Sequence, residues 1–290
     1  MRRPLAGLAF AAILTLPATT QSEPIALPAT AKYAWKPDHS AKNSLANRIP
    51  PPPGAHRLAV LPGHFSEWLR HIPVQPGNPP VLLHNGRKKP NQSVHTHVLD
   101  IDVGKRDLQQ CADAVMRLRA EHLFSQKLTT AIHFNFTSGD RADYLSWAQG
   151  QRPVITGNRV AWQKSQSRDA SYSNFRKYMN CVFTYAGTAS LSKELIQRKP
   201  DDPIVAGDVF IRGGFPGHAV IVMDTAVQGN TYYFLLAQSY MPAQSIHIPK
   251  NPKRADGSPW YQMPTGTKLV TPEWTFKTSE RMRFAEPESE

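Results

Sequence analysis

Three side chains in this 290-residue sequence have the types and settings for acyl-transfer chemistry: the cysteine Cys111, the histidine His218, and the glutamine Gln238. His218 follows Gly217 in the stretch GDVFIRGGFPGHAVIVMD and stands at the first position of a β-prone run, Ala219 to Met223. Glycine leaves little bulk beside it, so the ring can emerge at the mouth of a sheet. The next apolar run, Tyr232 to Ala237, ends in the polar pair Gln238 and Ser239. A histidine and a polar side chain on adjacent strands, completed by a reactive thiol, make a cysteine-histidine hydrolase site.

Cys111 is the thiol whose setting suits that role. It lies near the start of a predicted helix, DLQQCADAVMRLRAEHLF, where unpaired backbone amides and the helix dipole favour an anion. Such a position can lower a thiol from its ordinary value of about 8.5, and the same amides can receive an oxyanion. The competing roles are structural. Cys111 adjoins Leu108, Ala112 and Val115 on an apolar stripe and could serve as a small hydrophobe. In an oxidising compartment it could also pair with Cys181.

The elements that must position these groups follow from periodicity. Phe210 and its neighbours Val209 and Ile211, a glycine-rich reversal, and Ala219 to Met223 predict a hairpin, with Tyr232 to Ala237 a third strand and Ser245 to Ile248 a fourth. Asp107, with Gln110 three residues on, predicts the cap of the Cys111 helix. Further helices are expected around Phe65 to Ile72, Arg141 to Gln149 and Ser171 to Tyr185, with Ser190 capping another. Val154 to Trp162 reads as a hairpin, and Val81 to Leu83, Val94 to Asp102 and Ala131 to Phe136 as strands. One α+β domain over residues 54–290 accounts for these elements.

Before that domain, MRRPLAGLAFAAILTLPATT has the layout of a secretory signal peptide, assigned to residues 1–22 with cleavage between Ala18 and Glu23. Residues 23–53 lack sustained periodicity, end in four consecutive prolines, and are expected to be extended or disordered. No later segment approaches the ~20 apolar residues of a membrane span, so no stable span is expected after signal cleavage. The expected location is secreted or periplasmic.

The chain carries a net charge of +12, which favours an anionic partner such as a cell-wall polymer. Arg87, Lys88, Lys89, Lys105 and Arg106, with Lys250, Lys253 and Arg254, form short basic clusters read as solvated surface. No nucleic-acid motif accompanies them.

Taken together, the cysteine at a helix start, Gly207 and Asp208 opening one strand, Gly217 and His218 opening the next, and Gln238 on a third resemble the NlpC/P60 and CHAP group of papain-like cysteine hydrolases. The resemblance implies an antiparallel sheet with the nucleophile helix packed against it. It also implies Cys111 as nucleophile, His218 as general base and then acid, and Gln238 as the group that orients the imidazole. Ser239, Asp208 and Asp224 are alternative orienting groups. The long interval between Cys111 and His218 holds at least two helices and reads as a helical insertion over the cleft, and the residues beside Cys111 depart from that group's Cys-Ser-Gly pattern.

Over nearly the whole mature domain the chain is similar to a secreted bacterial family, domain-of-unknown-function family 4846. DLQQCADAVMRLRAEHL, HFNFTSG, VFTYAGT, GHAVIV, LLAQSYMPAQ, SPWY and TPEWTF carry that likeness. It brings no activity with it.

The reading is therefore a secreted cysteine hydrolase of amide or peptide bonds, with cell-wall peptide as substrate and no cofactor required. Two alternatives stand beside it. One is a metal-dependent hydrolase using the same-face pair His95 and His97, with His122, His133, Asp100 or Asp102 as further ligands. The other is a non-catalytic wall-binding module using Trp147, Trp162, Tyr240, Trp260 and Tyr261 to stack on sugars.

Overall fold

The structure, a computed structural model, describes residues 23–286. The expected signal peptide, residues 1–22, lies outside them. The chain is a mixed α+β fold with antiparallel sheets and, among the described residues, six α-helices. None of these helices is long and apolar enough to cross a membrane.

The hairpin around His218 is the centre of the main sheet. Its strands are Asp208–Arg212 and His218–Gln228, paired antiparallel from Val209↔Ile221 to Arg212↔His218. The sheet continues on one side through Thr231–Ala237 and Trp260–Gln262, and on the other through Arg281–Arg283 and Ile196–Gln197. His56–Arg57 pairs with the far end of the His218 strand at Val227 and Ala226. The central strands are apolar on both faces because both are covered, which alternation sorts cleanly. Ala219, Ile221 and Met223 join the larger core, and Val220 and Val222 join a second cluster with Phe210, Phe234, Leu236 and Phe276.

The Cys111–Ser125 helix lies against the His218 strand through that larger core. Its start differs from the expected one. Gln110, not Asp107, is the N-cap residue, and the Gln110 backbone N–H donates to Asp113 Oδ2 at 3.0 Å. Asp107 instead accepts from the Ala243 backbone N–H at 2.6 Å and from Gln110 Nε2 at 3.1 Å. A carboxylate can cap a helix or tie a loop with the same lone pairs, and only the approach of residue 243 decides which. Cys111 thereby becomes the first helical residue.

The expected hairpin is present as Gln151–Thr156 and Arg159–Lys164, and the helix after Ser171 as Tyr172–Tyr185, with Ser171 Oγ accepting from the Asn174 backbone N–H. Gly187 rather than Ser190 precedes the Thr188–Glu194 helix. The expected fourth strand, here His247–Pro249, pairs with His95–Val98 outside the main sheet and is joined to that sheet's edge by the Gln238↔His247 bridge.

Residues 23–53 depart most from expectation. They carry turns and the short helix Leu45–Arg48, and they bury Tyr33, Leu45 and Ile49. Tyr33 packs among Trp35, His39 and Trp68 and donates its hydroxyl hydrogen to the Trp68 carbonyl at 2.8 Å. A few widely spaced aromatics have no period to detect, yet each contributes a large apolar area once a partner surface exists.

Candidate functional site

His218 is held at the first residue of its strand by the turn before it. A Cβ at Gly217 would run into the Thr188 hydroxyl and the carbonyls of Gly214 and Arg212, so glycine is required by close approach. The turn is pinned to the Thr188–Glu194 helix, with Thr188 Oγ1 donating to the Gly214 carbonyl at 3.1 Å. The His218 ring is buried between Tyr240, Trp274 and Phe276, with ring centroids at 4.8, 5.4 and 5.8 Å.

Cys111 reaches the same strand from the helix side. Its thiol lies against the backbone of Ala219, the residue next to His218, and its other backbone neighbours are Ala112 and its own amide. Tyr240 is shared by both groups, since its ring is 4.8 Å from His218 and its phenol is within electrostatic reach of Cys111. Two ties fix the approach: Ser239 Oγ donates to the Gln109 carbonyl at 3.0 Å, and Asp107 binds the Ala243 amide.

The pairing of the third strand with the His218 strand ends at Ala237↔Ile221. Beyond it, Val220, Ala219 and His218 pair only with the Asp208–Arg212 strand on the other side. The thiol thus lies beside the backbone of the residue next to His218, while the His218 ring itself packs against Phe276 of the second cluster. No hydrogen bond joins Sγ to the ring among the described residues.

Gln238 is the side chain that engages the imidazole. His218 Nε2 is 3.1 Å from Gln238 Oε1, while Gln238 Nε2 is 2.7 Å from Glu273 Oε2 and 3.2 Å from His247 Nε2. His247 Nδ1 is in turn 2.9 Å from the Ser245 carbonyl. Lys89 Nζ lies 2.6 Å from the Glu273 carboxylate.

The other expected orienting groups are engaged elsewhere. Ser239 Oγ is shared between the Gln109 and Gln244 carbonyls. Asp208 is bound by Arg281 and Arg283 at the opposite end of its strand. Asp224, six residues beyond His218 or ~20 Å along the strand, is clamped by Arg57 and Arg70 at 2.6 and 2.8 Å.

Electrostatics oppose a preformed ion pair. Burial and then the Asp113 carboxyl push the Cys111 thiol up to about 11, against the backbone amides of Ala112, Ala219 and Cys111. The expected lowering by the helix start is thus present in sign but outweighed by desolvation. Burial pushes the His218 imidazole down to about 4, opposed by the Gln238 hydrogen bond and by Glu273. At neutral pH both partners rest uncharged. Burial alone would raise Glu273, but its hydrogen-bonding and charged partners, the Lys89 ammonium among them, hold it down to about 2, so it is a carboxylate.

Both cysteines are free thiols. Cys181, on the Tyr172–Tyr185 helix, is partly buried, and burial pushes it up to about 11.

The metal alternative finds its residues dispersed. His95 Nε2 bonds the Pro79 carbonyl at 3.1 Å, His122 Nε2 the Gly63 carbonyl at 3.0 Å, Asp102 pairs with Arg117, and Asp100 with Lys36. Among the described residues no three His, Cys, Asp or Glu side chains gather as a metal-holding group. Of the aromatics considered for sugar stacking, Trp147, Trp260 and Tyr261 are core residues. Trp260 and Tyr261 do edge a cleft of about 590 Å³ with Lys253, Arg254 and Lys268, remote in sequence from Cys111 and His218 and lined by neither.

Sequence reasoning missed Glu273, His247 and Lys89. Lys89 belongs to a cluster read as solvated, yet it is only 6% exposed because Glu273 neutralises it. Glu273 lies 35 positions from Gln238, and no local pattern announces their contact.

A family model described as Domain of unknown function (4846) matches residues 45–283, and the chain belongs to that family. No curated protein and no solved structure matches it.

Proposed function

We propose that this member of the 4846 family is a secreted, papain-like cysteine hydrolase that cleaves amide or peptide bonds, with cell-wall peptide as its substrate class. The observation that carries the reading is the meeting of the Cys111 thiol with the residue next to His218, whose ring is held by Gln238 at 3.1 Å. Acyl transfer calls for a nucleophile, a base and a group that orients the base, and these two contacts support Cys111, His218 and Gln238 in those roles. The antiparallel sheet with the Cys111 helix packed on it supports the papain-like architecture. The N-terminal sequence and the net charge of +12 support secretion and an anionic wall partner.

With both partners neutral at rest, attack and proton transfer are coupled. Cys111 Sγ bonds to the carbonyl carbon as its proton passes to His218 Nδ1, and the carbonyl oxygen becomes an oxyanion. Backbone N–H groups at the helix start are the donors nearest that charge. Collapse breaks the C–N bond, and the proton on Nδ1 leaves with the amine. Water then attacks the thioester, giving one proton to Nδ1, and that proton returns to sulfur as the acid departs. Gln238 keeps the ring in register through both halves.

The test is incubation of the protein with peptidoglycan peptides, with products read by mass spectrometry. Wild type and Cys181→Ala should release the same fragments, while Cys111→Ala and His218→Ala should release none. Release undiminished by Cys111→Ala would overturn the reading.

A further inference from the structure

The Gln238 amide has a sense that its partners dictate. A backbone carbonyl only accepts, so the proton of His247 lies on Nδ1, 2.9 Å from the Ser245 carbonyl, and Nε2 presents its lone pair. Glu273, kept ionised beside Lys89, also only accepts. Gln238 Nε2 stands 3.2 Å from the first of these acceptors and 2.7 Å from the second. Both N–H bonds of the amide are thereby used, and its oxygen is left facing His218.

We propose that His247 and Glu273 form a two-acceptor clamp that holds His218 in the tautomer protonated at Nε2, leaving Nδ1 bare as the proton acceptor. A flipped Gln238 would set its oxygen against a carboxylate and an imidazole lone pair. It would also offer an N–H to His218 Nε2, which drives the ring proton to Nδ1 and removes the base. All of Gln238, His247 and the Gln238 end of His218 are buried, so water cannot substitute for a missing partner cheaply. Glu273 and His247 are positioning residues acting through Gln238, and Lys89 keeps Glu273 an acceptor. Their catalytic consequence rests on the hydrolase reading, whereas the tautomer does not.

The experiment is a long-range proton–nitrogen correlation spectrum of the 15N-histidine-labelled full chain at neutral pH, with His218 assigned by His218→Gln. Wild type should show Nε2 protonated and Nδ1 bare. Glu273→Gln alone, or His247→Phe alone, should keep that form dominant, because one acceptor still remains. The double variant should move His218 from a single form to a mixture containing the Nδ1-protonated form. A wild-type spectrum with the proton on Nδ1 overturns the clamp, as does a double variant that melts cooperatively yet keeps the wild-type form. If the double variant does not fold, the wild-type spectrum decides. Failure of the hydrolase reading is separable: a correct tautomer with Cys111-independent or absent hydrolysis sinks that reading and leaves the clamp standing.

Discussion

His218 Nε2 and Gln238 Oε1 are 3.1 Å apart across two strands whose regular pairing has already ended at Ala237↔Ile221. The contact is thus a property of the strand ends, where side chains can turn toward one another, and not of the ladder itself.

Replacing Gln238 should act on chemistry more than on the fold. Gln238→Ala frees the ring and leaves Glu273 and His247 without their shared donor. Turnover on a wall peptide should fall by about 10²-fold or more, in the range lost when a general base is misplaced, with a cooperative melt retained. The check is kcat beside a thermal melt.

Alkylation of Cys111 by iodoacetamide should be slow at neutral pH and climb steeply under alkaline conditions, because the thiol is pushed up to about 11. Asp113→Asn removes the carboxyl that disfavours the thiolate and should raise the rate at any fixed pH below that value. Measuring rates in a Cys181→Ala background isolates the site. A rate unchanged by Asp113→Asn would refute the carboxyl's influence.

Asp224 illustrates a carboxylate whose role is stability. Asp224→Ala strands Arg57 and Arg70 beside a buried strand and should cost about 3–5 kcal/mol, as breaking a buried pair generally does. The His218 tautomer should not change. Denaturant melts and the same correlation spectrum check both halves of the prediction.

Glu194 should make stability fall toward alkaline pH. Burial raises its carboxyl to about 7, against the Asn135 backbone N–H and Arg141. A carboxyl whose folded value lies above its unfolded one favours folding below the unfolded value and loses that advantage as pH rises through the folded value. Glu194→Gln should therefore stabilise the chain at pH 8 by about 1 kcal/mol, discounted for partial exposure, and change little at pH 4. Thermal melts at the two pH values measure the difference.

Much of the fold is legible locally. The strands around His218, the Cys111 and Tyr172 helices and the Gln151–Lys164 hairpin follow from periodicity and turn residues, since each is defined by contacts a few positions apart. Cys111, His218 and Gln238 were legible as types at informative positions, the first at a helix start and the second after glycine. The helix cap is not legible because Asp107 is claimed by Ala243, nor is the order of the N-terminal segment, because Tyr33 packs on Trp68 without any period.

By itself the sequence determined the α+β class, the family, and the three side chains that could form a cysteine-histidine site. Only the tertiary structure decided that Gln238, and not Ser239, Asp208 or Asp224, meets the imidazole, and that Glu273, His247 and Lys89 stand behind it. The physical reason is range. Helix and strand preferences are set by neighbours along the chain, whereas the direction of a buried hydrogen bond and the charge state of a buried thiol are set by whatever the fold brings against them.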